Sequence, residues 1–219
     1  MSPYLEIKQN NLLGIIDKNG KIIITPQYQE LDYLYYENQT LIAKKNYKYG
    51  AINSQNKIVI PFEYQEIKKD YNATGGQTML VEQNNKYGIT DSIGKIIIPM
   101  KYDEIGRFYI DNKIPSGVMN KQKWGFINSK GKLIIPYTYQ DALEFQTIFE
   151  NPTSKTFKLL AVVKKNNKWG IIDNKNKIII PFEYAYINSS IATYLDGRIE
   201  VRKDDKIFKI DLQNNQYHD

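Results

Sequence analysis

Four carboxylates recur along the chain at nearly even intervals. Glu30, Glu66, Glu104 and Asp141 follow one another at 36, 38 and 37 residues. Two carboxylates held within roughly 5–10 Å of each other can divide acid and base work on a glycosidic bond. Such a pair would have to be assembled from neighbouring units, because the spacing puts one carboxylate in each. A cap or a lysine partner at the start of a connector is the commoner use of such a residue. A second series, Asp17, Asn53, Asp91, Asn128 and Asp173, is interrupted by asparagines and makes no consistent set of metal ligands. A third, Lys21, Lys57, Lys95, Lys132 and Lys177, would form a basic row if units stack. Lysine there can meet phosphates, but it more often keeps a hairpin edge in water. Nucleophile and metal–thiolate chemistry have no residues to work with. There is no cysteine, and the one histidine, His218, stands beside the C-terminus. We therefore expect no enzyme, no catalytic residue, no metal and no cofactor.

The elements that carry these residues form a repeat. The chain aligns on Gly14, Gly50, Gly88, Gly125 and Gly170, at spacings of 36, 38, 37 and 45 residues. Tyr49, Tyr87, Trp124 and Trp169 precede the last four glycines, and Leu13 precedes the first. The Asp/Asn series lies three residues after each glycine. Six after comes Gly20, Asn56, Gly94, Gly131 or Asn176. The lysine follows, then three aliphatic residues, then Pro61, Pro99, Pro136 or Pro181, with Thr25 in the first copy. Tyr28, Tyr64, Tyr102, Tyr139 and Tyr184 close the run, and the carboxylate series comes two residues later, with Tyr186 in the last copy.

Each position has a local physical meaning. The Asp or Asn accepts a hydrogen bond from a backbone N–H two residues on, and the Gly or Asn after it tolerates the left-handed conformation that closes a bulged hairpin. The ring-Gly segment is thus one strand, and the aliphatic run its antiparallel partner, ended by proline. A further strand and an Asn/Lys turn precede each ring, as in Leu41–Asn46 and Leu160–Asn167. The unit is a three-stranded antiparallel meander of about 37 residues. Three aliphatics in a row predict burial on both faces. The array is all-β: five units over 4–38, 39–76, 77–115, 116–157 and 158–194, then a degenerate sixth, a capping hairpin over 195–213. In that hairpin Phe208 replaces the glycine and the third strand is missing. An open, solenoid-like stack is expected, with a closed propeller-like ring as the alternative.

Lys123-Trp124-Gly125-Phe126-Ile127-Asn128 through Pro136 and Lys168-Trp169-Gly170-Ile171-Ile172-Asp173 through Pro181 resemble the bacterial WG (or KWG) repeat. Lys48-Tyr49-Gly50 and Lys86-Tyr87-Gly88 look like tyrosine variants of it. The resemblance covers nearly the whole chain and implies an all-β repeat used for binding, with no common enzyme activity.

Composition bounds the rest. The 219 residues are 42% hydrophobic, with 18 tyrosines. A net charge of +6 favours an acidic partner mildly and nucleic acid little. No bilayer-spanning run or signal peptide is visible, so a cytoplasmic protein is expected unless a leader was removed. Recognition should reside where the copies differ, in the connectors 32–39, 68–77, 106–117 and 143–158. Tyr33, Tyr35, Tyr36, Tyr71, Phe108, Tyr109, Phe145 and Phe149 lie there. Aromatics on such joins either bind a partner or fill small cores beneath the loops. A protein-binding scaffold is the leading expectation, in its most specific form a cytoplasmic immunity protein that neutralises a toxin. The alternative is a carbohydrate or cell-wall binder that uses exposed Trp124 and Trp169.

Overall fold

A computed structural model describes residues 4–33, 40–69, 78–110, 113–149, 157–191 and 197–217. All regular structure there is antiparallel β-sheet, apart from a single 3₁₀ position at Ile191. The chain divides into two compact units, Met1–Tyr102 and Asp103–Asp219.

The first unit holds three sheets. One is the meander β1 (Tyr4–Gln9), β2 (Leu12–Asp17) and β3 (Ile22–Tyr28). The next runs β4 (Glu30–Tyr33), β5 (Leu41–Lys45), β6 (Lys48–Ile52) and β7 (Ile58–Tyr64). The third runs β8 (Glu66–Lys69), β9 (Thr78–Gln83), β10 (Lys86–Asp91) and β11 (Ile96–Tyr102).

The second unit repeats the plan. Its fourth sheet is β12 (Glu104–Ile105), β13 (Ser116–Asn120), β14 (Lys123–Ile127) and β15 (Leu133–Tyr139). The fifth is β16 (Asp141–Ala142), β18 (Phe157–Lys165), β19 (Lys168–Asp173) and β20 (Ile178–Tyr184), with β17 (Gln146–Phe149) also paired to β18. The sixth is β21 (Tyr186–Ile187), β22 (Ile199–Lys203), β23 (Lys206–Ile210) and β24 (Gln216–Tyr217).

The expected three-stranded meander is present in the five copies, and in every sheet after the first the structure adds a further strand to it. Two residues after each recurrent tyrosine the chain enters the first strand of the next sheet: Glu30 pairs with Lys44 and Asp141 with Lys164. Each repeat therefore donates a strand forward. The terminal hairpin differs from expectation. It has a short outer strand, β24, held to β23 through Lys209↔Tyr217 and Ile210↔Gln216. The missing third strand is thus only shortened, since Asp211 and Asn214 rebuild the same turn as the other copies.

That turn forms in all six sheets. Asp17 Oδ1 accepts from the N–H groups of Asn19 and Lys21, each at 2.9 Å. Asn128 Oδ1 does the same for Lys130 and Lys132, and Asp211 Oδ1 for Gln213 and Asn215. The closing residue is left-handed in each, from Asn56 at φ 62° to Gly94 at φ 84°. The preceding hairpins turn on two residues of positive φ, such as Asn46–Tyr47 and Asn166–Asn167.

The glycine after the ring is needed for room. A Cβ on Gly125 would lie 2.6 Å from the Ile135 carbonyl oxygen, and one on Gly50 2.7 Å from that of Ile60. The outer strand bulges over this point. Trp124 pairs with Tyr139 and Phe126 with Ile135, so two extra residues of β15 arch across the glycine. Phe208 is tolerated because β24 pairs only beyond it, at Lys209 and Ile210.

The bulge delivers the recurrent tyrosine into the core. Tyr28, Tyr64, Tyr102, Tyr139 and Tyr184 are all buried. Tyr28 donates its hydroxyl hydrogen to Asn56 Oδ1 at 2.7 Å, Tyr139 to Asn176 at 2.6 Å and Tyr184 to Asn214 at 2.5 Å. Each bond reaches the turn of the following sheet. Burial, with Glu183 beside it, pushes the Tyr184 phenol up to about 12, which keeps it a donor.

Between sheets the cores are aliphatic. Ile42, Ala51 and Ile60 pack on Met79 and Val81 in the first unit. Phe126 and Ile135 pack on Leu159, Ala161 and Ile172 in the second. Burial on both faces falls on the inner strands, such as β18, and not on the aliphatic run as expected. Ile22, Ile58, Ile96, Leu133 and Ile178 are exposed and only the third residue of each run is buried, because that strand is the outer edge of its sheet.

Two substitutions test this packing. Gly125→Ala places a methyl against a backbone oxygen that side-chain rotation cannot move. It should cost roughly 1–3 kcal/mol, read as a lower urea midpoint at unchanged slope; an unchanged midpoint contradicts the close approach. Thr90 holds the position that Ile16, Ile52, Ile127, Ile172 and Ile210 hold elsewhere, and its hydroxyl is buried with no hydrogen-bond partner among the described residues. Thr90→Val should stabilise by about 1 kcal/mol in the same assay.

Candidate interaction site

The carboxylate series marks a row of three residues that crosses each sheet. Register sets the row: the acid on the first strand, its partner on the second, the ring on the third. In the second sheet it is Glu30, Lys44 and Tyr49. In the third it is Glu66, Glu82 and Tyr87, in the fourth Glu104, Met119 and Trp124, in the fifth Asp141, Lys164 and Trp169.

The second sheet shows what the row does. The Lys44 ammonium donates to Glu30 Oε1 at 2.8 Å and stands 4.7 Å from the centre of the Tyr49 ring. Tyr49 donates its hydroxyl hydrogen to Glu30 Oε2 at 2.7 Å. The hydrogen bond from Lys44, and then that from Tyr49, hold the Glu30 carboxyl below its ordinary range. A cation is thus clamped between a carboxylate and an aromatic face. In the fifth sheet Lys164 stands 5.6 Å from the Trp169 ring centre, opposite Asp141. In the third, Glu82 occupies the middle place and the cation comes from Lys68, whose ammonium lies 2.8 Å from Glu66.

The fourth sheet breaks the pattern. Met119 stands where Lys44 and Lys164 stand, and Gly106 where Lys68 stands. Gly106 donates its N–H to the Gly117 carbonyl at 2.9 Å, so two glycines face each other across β12 and β13. The place of Gly117 is taken by Ile42, Leu80 and Val162 in other sheets. With those side chains missing, a groove of about 560 Å³ opens beside Trp124. Glu104, Asp141 and Glu144 line it with Trp124, and Ser189 and Ser190 close one end. Gln146 donates a hydrogen bond to the Ser189 carbonyl at that end. Glu144 meets Arg107 at 3.4 Å and the Tyr109 hydroxyl at 3.4 Å. Glu104 is exposed and has no ion-pair partner among the described residues.

The aromatic residues of the joins separate by role. Phe108 and Phe145 are buried, and Phe145 meets Phe126 edge-on at 4.8 Å in the core. Tyr109 is half-buried, and desolvation raises its phenol. Phe149 is 55% exposed at the end of β17 and packs edge-on against Phe157, itself 48% exposed. Tyr33 lies on β4. Tyr35, Tyr36 and Tyr71 fall outside the described residues. Trp124 and Trp169, expected to be exposed in a carbohydrate binder, are half-buried at the margins of the cores.

Sequence reasoning paired the recurrent carboxylates with caps or lysines and did not see that Glu104 and Asp141 share a groove. The available signal was glycine at 106 and 117 with methionine at 119, where the second and fifth sheets carry lysine in the place of Met119 and the other sheets carry Ile42, Leu80 and Val162 in the place of Gly117. No group of three or more His, Cys, Asp or Glu side chains able to hold a metal occurs among the described residues. No helix among them is long and apolar enough to cross a membrane.

A family model described as WG containing repeat matches residues 14–49, 49–87, 87–115, 124–169 and 169–206. No curated protein matches the chain. Solved structures similar to it include a eukaryotic initiation factor, at 13% identity and a TM-score of 0.47, covering 99% of this chain and 62% of that one. Apo AztD from Citrobacter koseri matches at 12% identity and 0.40, covering 100% and 69%, and the AfRom2 CNH domain at 10% and 0.39, covering 99% and 80%. The chain thus spans less than two thirds of the initiation-factor chain.

The clamp in the second sheet makes a titration prediction. Lys44→Met copies the fourth sheet's row and removes the largest cause of the depressed Glu30 carboxyl. Its pKa should move up toward the ordinary carboxylate range in a carbon-detected NMR titration. A depressed carboxyl adds stability above its unfolded pKa and loses it as pH falls through the folded one. The variant should therefore lose less stability than the parent on acidification. A Glu30 titration that does not move would mean that the clamp is absent in solution.

Proposed function

Because the chain belongs to the WG-containing repeat family along most of its length, we propose that the protein is a non-catalytic scaffold that binds a protein partner. The observation that carries this reading is the aromatic pair Phe149 and Phe157. It sits on the β17–β18 hairpin, which is an addition to the four-strand plan of the sheets in the described residues. The five glycines and five tyrosines serve packing that every copy needs, while this pair serves none of it. Exposed aromatics held on a rigid sheet lose little freedom when a partner covers them, and they contribute heavily to association.

The groove's lining has no lysine, histidine or cysteine, but it carries the carboxylates Glu104, Asp141 and Glu144, so the non-catalytic part of the proposal rests on the repeat and not on the groove. Binding that covers the working surface of another protein, as an immunity protein covers a toxin, is the most specific form of the proposal. Carbohydrate binding rests on Trp124 alone, since Lys164 stands over Trp169.

Affinity capture with the purified protein from cells of its own source tests the reading. The parent should retain a defined protein, and Phe149→Ser/Phe157→Ser should lose it at unchanged urea stability. Equal capture by both would show that this surface is not the contact, and no specific capture by the parent would remove the proposal.

A further inference from the structure

We propose that the groove of the fourth sheet is a receptor for a lysine side chain presented by a protein partner, taking from outside the cation that the other rows carry themselves. The case rests on comparing copies within one chain. In the second sheet the acid and the ring of the row hold Lys44 between them. In the fifth, Lys164 stands at the ring, and in the third Lys68 neutralises the acid. The cation comes from the middle of the row in the second and fifth sheets and from two residues after the acid in the third, where the second and fifth carry Asp32 and Leu143; the fourth sheet has a lysine at neither place. One holds Met119 and the other Gly106, while acid and ring are kept as Glu104 and Trp124.

Met119 fills the middle of the row, and the open space lies beside it, over Gly106 and Gly117. Gly117 leaves room beside Trp124, and the nearest neighbours of a Cβ built there would be the Trp124 and Phe126 rings at ordinary contact distances of 3.5 and 3.6 Å. A groove of about 560 Å³ lies within the usual range for ligand sites, roughly 300–1,000 Å³. It takes a lysine together with the backbone that presents it. Asp141 and Glu144 add negative charge to the walls, on a chain whose net charge is +6. Arg107 is turned to Glu144, which leaves Glu104 to receive the ammonium. The Trp124 ring supplies the cation–π face. A neutral side chain of the same length would meet only part of this surface. The protein source of the lysine rests on the binding reading above; the chemistry of the groove does not.

The test uses the whole chain without any partner. Nα-acetyl-lysine methylamide is titrated to high millimolar concentration while the two tryptophan indole N–H signals are followed by NMR, assigned with Trp169→Phe. The expected result is a saturable shift of the Trp124 signal that the norleucine analogue does not produce. Glu104→Gln, an exposed change, should weaken the binding by roughly tenfold. Gly117→Val puts into the groove the residue that the fifth sheet carries as Val162, and should abolish the shift with the other signals in place. No shift, an equal shift with norleucine, or a shift untouched by both variants overturns the proposal. Failure here with partner capture through Phe149 intact removes the lysine receptor alone. A positive titration with failed capture removes the protein-scaffold reading and keeps the groove's chemistry.

Discussion

A carbonyl oxygen lying where a side chain would begin is the contact on which the repeat is built. In each of the five WG-type copies the last aliphatic residue of the outer strand sets its carbonyl 2.4–2.7 Å from the site of a Cβ on the glycine. The strand reaches that position only by bulging, and the bulge turns the following residues so that the tyrosine comes back opposite the ring. The tyrosine is then buried and its hydroxyl reaches the turn of the next sheet where that turn carries asparagine. The chain leaves the tyrosine already aligned as the first strand of the following sheet. Glycine, bulge, tyrosine and donated strand are thus one device, and weakening the first loosens the rest.

Forward donation of a strand has an energetic consequence. A copy cannot complete its own sheet, because its first strand is supplied from behind and its tyrosine is anchored ahead. Neighbours are joined by backbone hydrogen bonds as well as by apolar burial, as expected of arrays whose units are unstable alone. The aliphatic cores repeat almost unchanged, and irregular features collect elsewhere: at the β17–β18 hairpin, at the joins, and in the crossing rows of acid, cation and ring.

Much of this was legible in the sequence. The Asx residues accept the expected hydrogen bonds in all six sheets, and the Gly or Asn after them is left-handed throughout. The fourth strand was hidden because Glu30-Leu31-Asp32 and Asp141-Ala142 are too short and mixed in polarity to announce pairing. The aliphatic run misled because three isoleucines look the same at a sheet edge and in a core; only the position of the strand decides which of them is covered. Phe108 and Phe145 could not be told from Phe149, since aromatics on joins carry no periodicity to show which way they face. The groove was less visible still, being made by side chains that are missing at Gly106 and Gly117.

A tandem repeat supplies its own comparison set, and departures from the pattern carry information in proportion to how well the pattern is kept. Leu13 in place of the ring and Thr25 in place of the proline fall in the first copy, whose sheet has three strands among the described residues. Phe208 falls where the outer strand is cut short. Both have a packing cause nearby. Met119 with Gly106 has none: the fourth sheet is complete, its acid and ring are kept, its outer strand bulges as the others do. Methionine in the place of Lys44 and Lys164 leaves Glu104 without the lysine of the second and fifth rows, and Gly106 stands where the third sheet alone carries a lysine, Lys68. Together they leave negative charge around an aromatic edge. At a row that opens into a groove, this charge and this ring suit a cation that arrives with another molecule.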